Sequence, residues 1–96
     1  MKRQTRLYQL IEEILEATRD HDLERVREIN SREVSDLLNQ LKQNDPSSKE
    51  FKLAYKYDLC INKCAYALGD DIFGSYEENL RAAEEIFAKI PQPNDE

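Results

Sequence analysis

Residues 51–68, FKLAYKYDLCINKCAYAL, are apolar on nearly every side when placed on a helix, and no other stretch limits the fold so strongly. Leu53, Tyr57, Cys60, Ile61, Cys64 and Leu68 recur at three-to-four-residue spacing, and Phe51, Tyr55, Leu59 and Tyr66 widen the stripe. Such a helix is stable in water only when other elements cover it. It is expected to lie centrally, with Lys49, Lys52, Lys56 and Lys63 reaching solvent. Ser47 and Glu50 have the spacing of a capping box at its start, and Gly69 stands where a left-handed C-terminal cap would sit.

The other helices follow from the same period. In residues 4–19, Leu7, Tyr8, Ile11, Ile14 and Leu15 keep helical spacing, with Glu12, Glu13 and Glu16 on the opposite side. Past Thr18 the stripe jumps phase to Leu23, Val26 and Ile29, so a break is expected at Asp20, His21 and Asp22, with Asp22 capping a second helix over residues 22–43. Neither glycine nor proline occurs before Pro46, and the alternative is one unbroken helix of about 60 Å at ~1.5 Å per residue. The second helix carries a seam of Leu23, Val26, Asn30, Val34, Leu37 and Leu41. Asn30 and Ser31 interrupt it, which implies a kink, a restart through a capping box of Asn30 and Glu33, or a polar register residue in an interface. The last helix, 76–90, opens on a capping box of Ser75 and Glu78, carries Tyr76, Leu80, Ala83, Ile86, Phe87 and Ile90, and ends at Pro91. Residues 91–96 are expected to be a frayed tail. Helices at 4–19, 22–43, 48–68 and 76–90 in a single domain of 96 residues predict an all-α fold, either an antiparallel four-helix bundle or two stacked helical hairpins.

Charge and composition exclude several function classes. The net charge is −6, and residues 70–96 hold eight acids against Arg81 and Lys89, so residues 1–69 are neutral overall. A nucleic-acid partner is not expected, because that affinity comes largely from Lys and Arg displacing counterions. No apolar run has the length of a membrane span, and glutamates stand where a signal peptide would have its apolar run, so a cytoplasmic protein is expected, with no membrane partner. Cys60 and Cys64 share a helix face and read as free thiols packed in the core, since the chain has two cysteines and one histidine, too few for a structural zinc site. His21 reads as part of a solvated turn, no Glu is followed three residues later by His, and no Gly-rich phosphate loop occurs. The expectation is therefore no enzyme, no catalytic residues, no metal and no cofactor.

Residues 60–94 resemble a tetratricopeptide repeat in outline, with a helix ending in Gly69 and Asp70, a helix start at Tyr76, Glu77 and Glu78, and a closing proline. That family places small residues where its two helices touch, whereas Asn62, Asn79 and Ile86 stand there in this chain, and the turn is longer. The segment is thus expected to be a helical hairpin of similar outline, with no functional residues carried over.

By elimination, the chain is expected to act by binding another protein. The leading expectation is an adaptor or secretion-chaperone-like module whose groove receives a partner's helix. Tyr8, Ile72, Phe73 and Tyr76 are its candidate apolar anchors, at helix ends or in a loop, and Glu77, Glu78, Glu84 and Glu85 would steer a basic partner. One alternative is an inhibitor or immunity-type protein that covers a basic effector with the acidic C-terminal hairpin. The other is a structural homo-oligomer joined through the seam of residues 23–41, with Asn30 as its register residue.

Overall fold

The break that the phase jump requires after Thr18 is made by a left-handed residue. In the computed structural model, which describes residues 3–69 and 74–92, His21 has φ 57°. Its N–H donates to the Thr18 carbonyl (3.1 Å) and the next N–H, of Asp22, donates to Ala17 (2.8 Å). This pair of bonds is the Schellman arrangement, which satisfies carbonyls left without partners at a helix end. Asp22 then caps the second helix by accepting from the Arg25 N–H at 3.1 Å. Two helices therefore replace the single long rod.

The described residues form α1 (Arg3–Arg19), α2 (Leu23–Ile29), a π-helical turn (Asn30–Val34), α3 (Ser35–Lys42), α4 (Lys49–Leu68) and α5 (Tyr76–Lys89), with no strand among them. The fold is all-α. α2, the π turn and α3 run on as one bent rod, so four rods pack together. Tyr8 meets Phe87 and Thr18 meets Tyr76, so α1 and α5 run in opposite directions. Cys60 meets Ala83 while Leu53 lies near Pro91, which makes α4 and α5 antiparallel as well. The arrangement is the expected antiparallel four-helix bundle.

Of the readings open at Asn30, the kink is the one observed. Arg32 leaves the helical region (φ −90°, ψ −107°) and the Ser31 hydroxyl donates back to the Glu28 carbonyl at 3.1 Å, a bond that bends helices. Glu33 does not cap Asn30. It accepts both Arg6 Nε (3.0 Å) and Arg6 Nη2 (2.6 Å), tying the bend to α1. Along α3, Val34 and Leu41 are buried as the seam predicts, with Leu38 buried between them and Leu37 only partly covered.

Two helix ends differ from the sequence expectation. The cap of α4 is Ser48, whose hydroxyl accepts the Phe51 N–H at 3.1 Å, because Ser47 donates both its N–H (2.9 Å) and its hydroxyl (2.7 Å) to the Asp45 carboxylate. Gly69 is extended (φ −90°, ψ −160°) and is no left-handed cap. The glycine held in the left-handed region is Gly74, at φ 116°. The capping box of α5 is formed as expected, and Pro91 holds Ile90 in an extended conformation (ψ 126°), which ends that helix.

The core is shared between α1 and α4. On α1, Leu7, Leu10, Ile11, Ile14, Leu15 and Ala17 are all buried, a wider arc than the predicted stripe. On α4 the buried positions are Ala54, Tyr57, Cys60, Ile61, Cys64 and Ala67, whereas Leu53 and Leu68 lie at the margin. Lys52 and Lys56 reach solvent as expected, and Tyr55, read as an apolar flank of the stripe, is open beside them. Among the described residues no helix is long and apolar enough to cross a membrane.

Tyr57 is 0% exposed, and its hydroxyl has no hydrogen-bond partner among the described residues. Desolvation pushes the phenol's pKa well above its ordinary value, so it stays neutral. An unpaired buried hydroxyl costs about 1–3 kcal/mol. Tyr57→Phe is therefore expected to keep or raise the thermal midpoint measured by circular dichroism, while Tyr57→Ala should lose about 3–5 kcal/mol to the cavity; a clear loss in the Phe variant would contradict the assignment. For the Arg6–Glu33 pair, hydrogen bonding holds the Glu33 carboxyl below its ordinary value of 4.5. Its contribution is present above that value and is lost as the pH falls through the lower folded value. Glu33→Gln should therefore show a smaller drop in thermal midpoint between pH 7 and about pH 3 than the unaltered chain.

Candidate docking site

The four helical rods engage two of the four residues that the sequence offers as apolar anchors, Tyr8 and Tyr76. Tyr8 is half-buried against Phe87, with ring centroids 4.7 Å apart. Tyr76 stacks on His21 at 4.0 Å and donates its hydroxyl to the Thr18 carbonyl at 2.8 Å. Burial, with the negative charges of Glu84 and Asp20 adding to it, pushes the Tyr76 pKa up and keeps the phenol a proton donor. Ile72 and Phe73 lie outside the described residues.

The acidic residues of α5 divide into two pairs. The Glu78 N–H donates to the Ser75 hydroxyl (3.2 Å), and the Glu78 carboxylate accepts the Ser75 N–H (3.3 Å). Glu84 accepts from Arg19 at 2.9 Å. Glu77 and Glu85 are exposed and make no ion pair among the described residues. The structure brings Tyr76 and Glu84 to the end of α1 and places Tyr8 at the other end of the bundle, so these residues do not form one surface.

The cysteines lie side by side in the interior. Cys60 donates its thiol to the Ala83 carbonyl at 3.5 Å, and both side chains are fully buried. The hydrogen bond shared with Cys64, followed by desolvation, pushes the Cys60 thiol well above the ordinary range. A neutral buried thiol is a poor nucleophile and packs as a small hydrophobe. Among the described residues no three His, Cys, Asp or Glu side chains converge on a point that would hold a metal ion.

The open face of the bundle is on α4. At 100° per residue its buried side chains occupy one arc, and Lys52, Tyr55, Lys56, Leu59, Lys63 and Tyr66 occupy another. Tyr55 is 60% exposed and is the exposed large hydrophobic residue among those described. Where α4 starts and α5 ends, Lys49, Glu50, Lys52, Leu53, Lys56 and Pro91 line a cleft of about 500 Å³. Leu53 and Pro91 supply its apolar floor. A second cleft of about 480 Å³ lies at the bend, lined by Asn30, Ser31, Ser35, Asn39 and the ion pair of Lys42 with Asp58 (2.6 Å).

The sequence reading treated these lysines as the solvated side of a central helix. The signal that could have set them apart is Tyr55 and Leu59 standing among Lys52, Lys56 and Lys63 at helical spacing, an amphipathic outer face rather than a purely polar one. No protein-family model, curated protein or solved structure matches the chain.

If Tyr76 is a latch between helices rather than an anchor for a partner, Tyr76→Phe should lower unfolding free energy by about 1 kcal/mol, the value of one hydrogen bond. Urea denaturation measures this. An unchanged midpoint would return Tyr76 to the list of free surface residues.

Proposed function

We propose that the chain is a protein–protein interaction module, adaptor-like or chaperone-like, that acts in the cytoplasm by holding a segment of another protein against α4. The observation that carries this reading is the outer arc of α4. Tyr55 is 60% exposed on that arc, and a cleft of about 500 Å³ that includes Leu53 and Pro91 opens on the same helix. Tyrosine supplies large contact area with little side-chain entropy to lose, and exposed tyrosines are common binding anchors. A catalytic reading finds less support, because the thiols are buried and the single histidine is stacked on Tyr76.

Two further readings have weaker support. An acidic inhibitor would rely on the carboxylates of α5, yet Glu78 and Glu84 are engaged within the fold. A homo-oligomer joined through the seam of residues 23–41 would need that seam outside, and Val26, Val34 and Leu41 face the chain's own core.

The test is a comparison of the full chain with Tyr55→Ser as bait in a lysate of the source organism, with mass spectrometry of stoichiometric retained proteins. One partner is expected on the unaltered chain and markedly less on the variant, with stability changed by no more than about 0.5 kcal/mol. Equal retention by both baits would remove α4 from the reading.

A further inference from the structure

The positive charges of this chain are treated in two ways. Arg6, Arg19, Arg32 and Lys42 each meet a carboxylate of the chain itself, Glu33, Glu84, Glu28 and Asp58 respectively. Arg25, Arg27, Lys63, Arg81 and Lys89 meet none among the described residues, and neither do Lys49, Lys52 and Lys56, although the chain carries 20 acids and a net charge of −6. These three lysines line one cleft, and Lys63 continues their line one turn beyond Leu59. An α4 face of like charge is unfavourable to the free protein and is relieved by any ligand that brings negative charge.

Resting on the reading of α4 as a docking face, we propose that its ligand is an acidic peptide segment of a partner protein, with Asp or Glu side chains on Lys49, Lys52 and Lys56 and one large apolar side chain against Leu53 and Pro91 in the same cleft. Leu53 and Pro91 call for an apolar side chain as well as charge, and three lysines against the one carboxylate of Glu50 fix the sign of that charge. A nucleic acid would meet the same lysines, but it would also meet a molecule of net charge −6, and its phosphates would gain nothing from the apolar floor. A second copy of this chain, which brings acids of its own, and an anionic membrane surface are the other occupants to be distinguished.

The experiment is selection of a displayed random-peptide library on the immobilised full chain at about 50 mM salt, where exposed charges are weakly screened. The enriched peptides are then made with a fluorescent label and titrated by anisotropy against the unaltered chain and against Lys52→Glu with Lys56→Glu. Both substitutions are at exposed positions, and circular dichroism checks that helicity is kept. Enrichment of peptides rich in Asp and Glu around a large apolar residue, with binding about tenfold or more weaker to the double variant and weaker at about 300 mM salt, is the expected result. Enriched peptides that are neutral or basic, or that ignore the double variant, would overturn the acidic ligand while leaving a docking module in place. No enrichment above the blank support would overturn both. Tighter binding of a labelled single-stranded oligonucleotide or of phosphatidylserine vesicles than of any selected peptide would reassign the face, as would self-association in sedimentation that the double variant abolishes.

Discussion

The carbonyl of Thr18 accepts two hydrogen bonds, from the His21 N–H and from the Tyr76 hydroxyl, and the relative placement of three helices depends on it. The first bond closes the turn that ends α1 and sends α2 back along it. The second sets how far along α1 the start of α5 lies. A glycine at position 21 would adopt φ 57° with less cost, by about 1 kcal/mol. Histidine instead gives Tyr76 a ring to stack on at 4.0 Å, so the turn and the interhelix latch use one residue for two purposes. The Thr18 hydroxyl donates to Ile14 within α1, so the polar atoms of this buried residue are paired.

Close approach beneath that latch is permitted by small side chains. Ala17 of α1, Cys60, Cys64 and Ala67 of α4, and Ala83 of α5 are all buried where the three helices meet. The two thiols fit this pattern as compact, weakly polar fillers, and Cys60 finds its acceptor in the backbone of α5. Because α1, α3 and α5 all close on α4, the arc of α4 opposite them is the one left over. The outer ridge of lysines and Tyr55 is therefore a consequence of how the core closes, and its composition is a separate matter on which the core places no demand.

How much of this was legible follows from which interactions are local. The capping boxes and the phase jump after Thr18 are properties of a few neighbouring residues, and Ser75, Glu78 and the break at Asp20, His21 and Asp22 were readable for that reason. Ser47 was misassigned as a cap because two adjacent serines compete, and the choice of Ser48 is made by the Asp45 carboxylate two residues away from Ser47. The burial of Leu38 in place of Leu37 could not be read from the helical period, since Val34, Leu37, Leu41 and Val34, Leu38, Leu41 are both helically spaced and both end on buried positions. Tyr8 and Tyr76 looked like free aromatics because their partners, Phe87 and His21, are distant in sequence. Tyr55 had the opposite fate. It was counted as a flank of a covered helix, and whether a flank is covered depends on where the neighbouring rods end.

The distribution of ion pairs bears on the same ridge. Exposed pairs contribute little stability each, so the chain gains little by pairing Arg19 with Glu84 or Lys42 with Asp58. What pairing does change is the field outside the molecule, because a cation beside a carboxylate presents almost no net charge at a distance. With four of its cations cancelled in this way, unpaired cations remain at Arg25, Arg27, Arg81, Lys89 and on α4, and Lys49, Lys52 and Lys56 are the ones that line one cleft together. A patch of one sign on a molecule of the other sign selects by orientation: an incoming acidic group is favoured there over the acidic surface around it. The same molecule would turn a basic partner away from that place. The acidity of the whole chain and the basicity of this part of α4 thus act in opposite directions on an approaching charge.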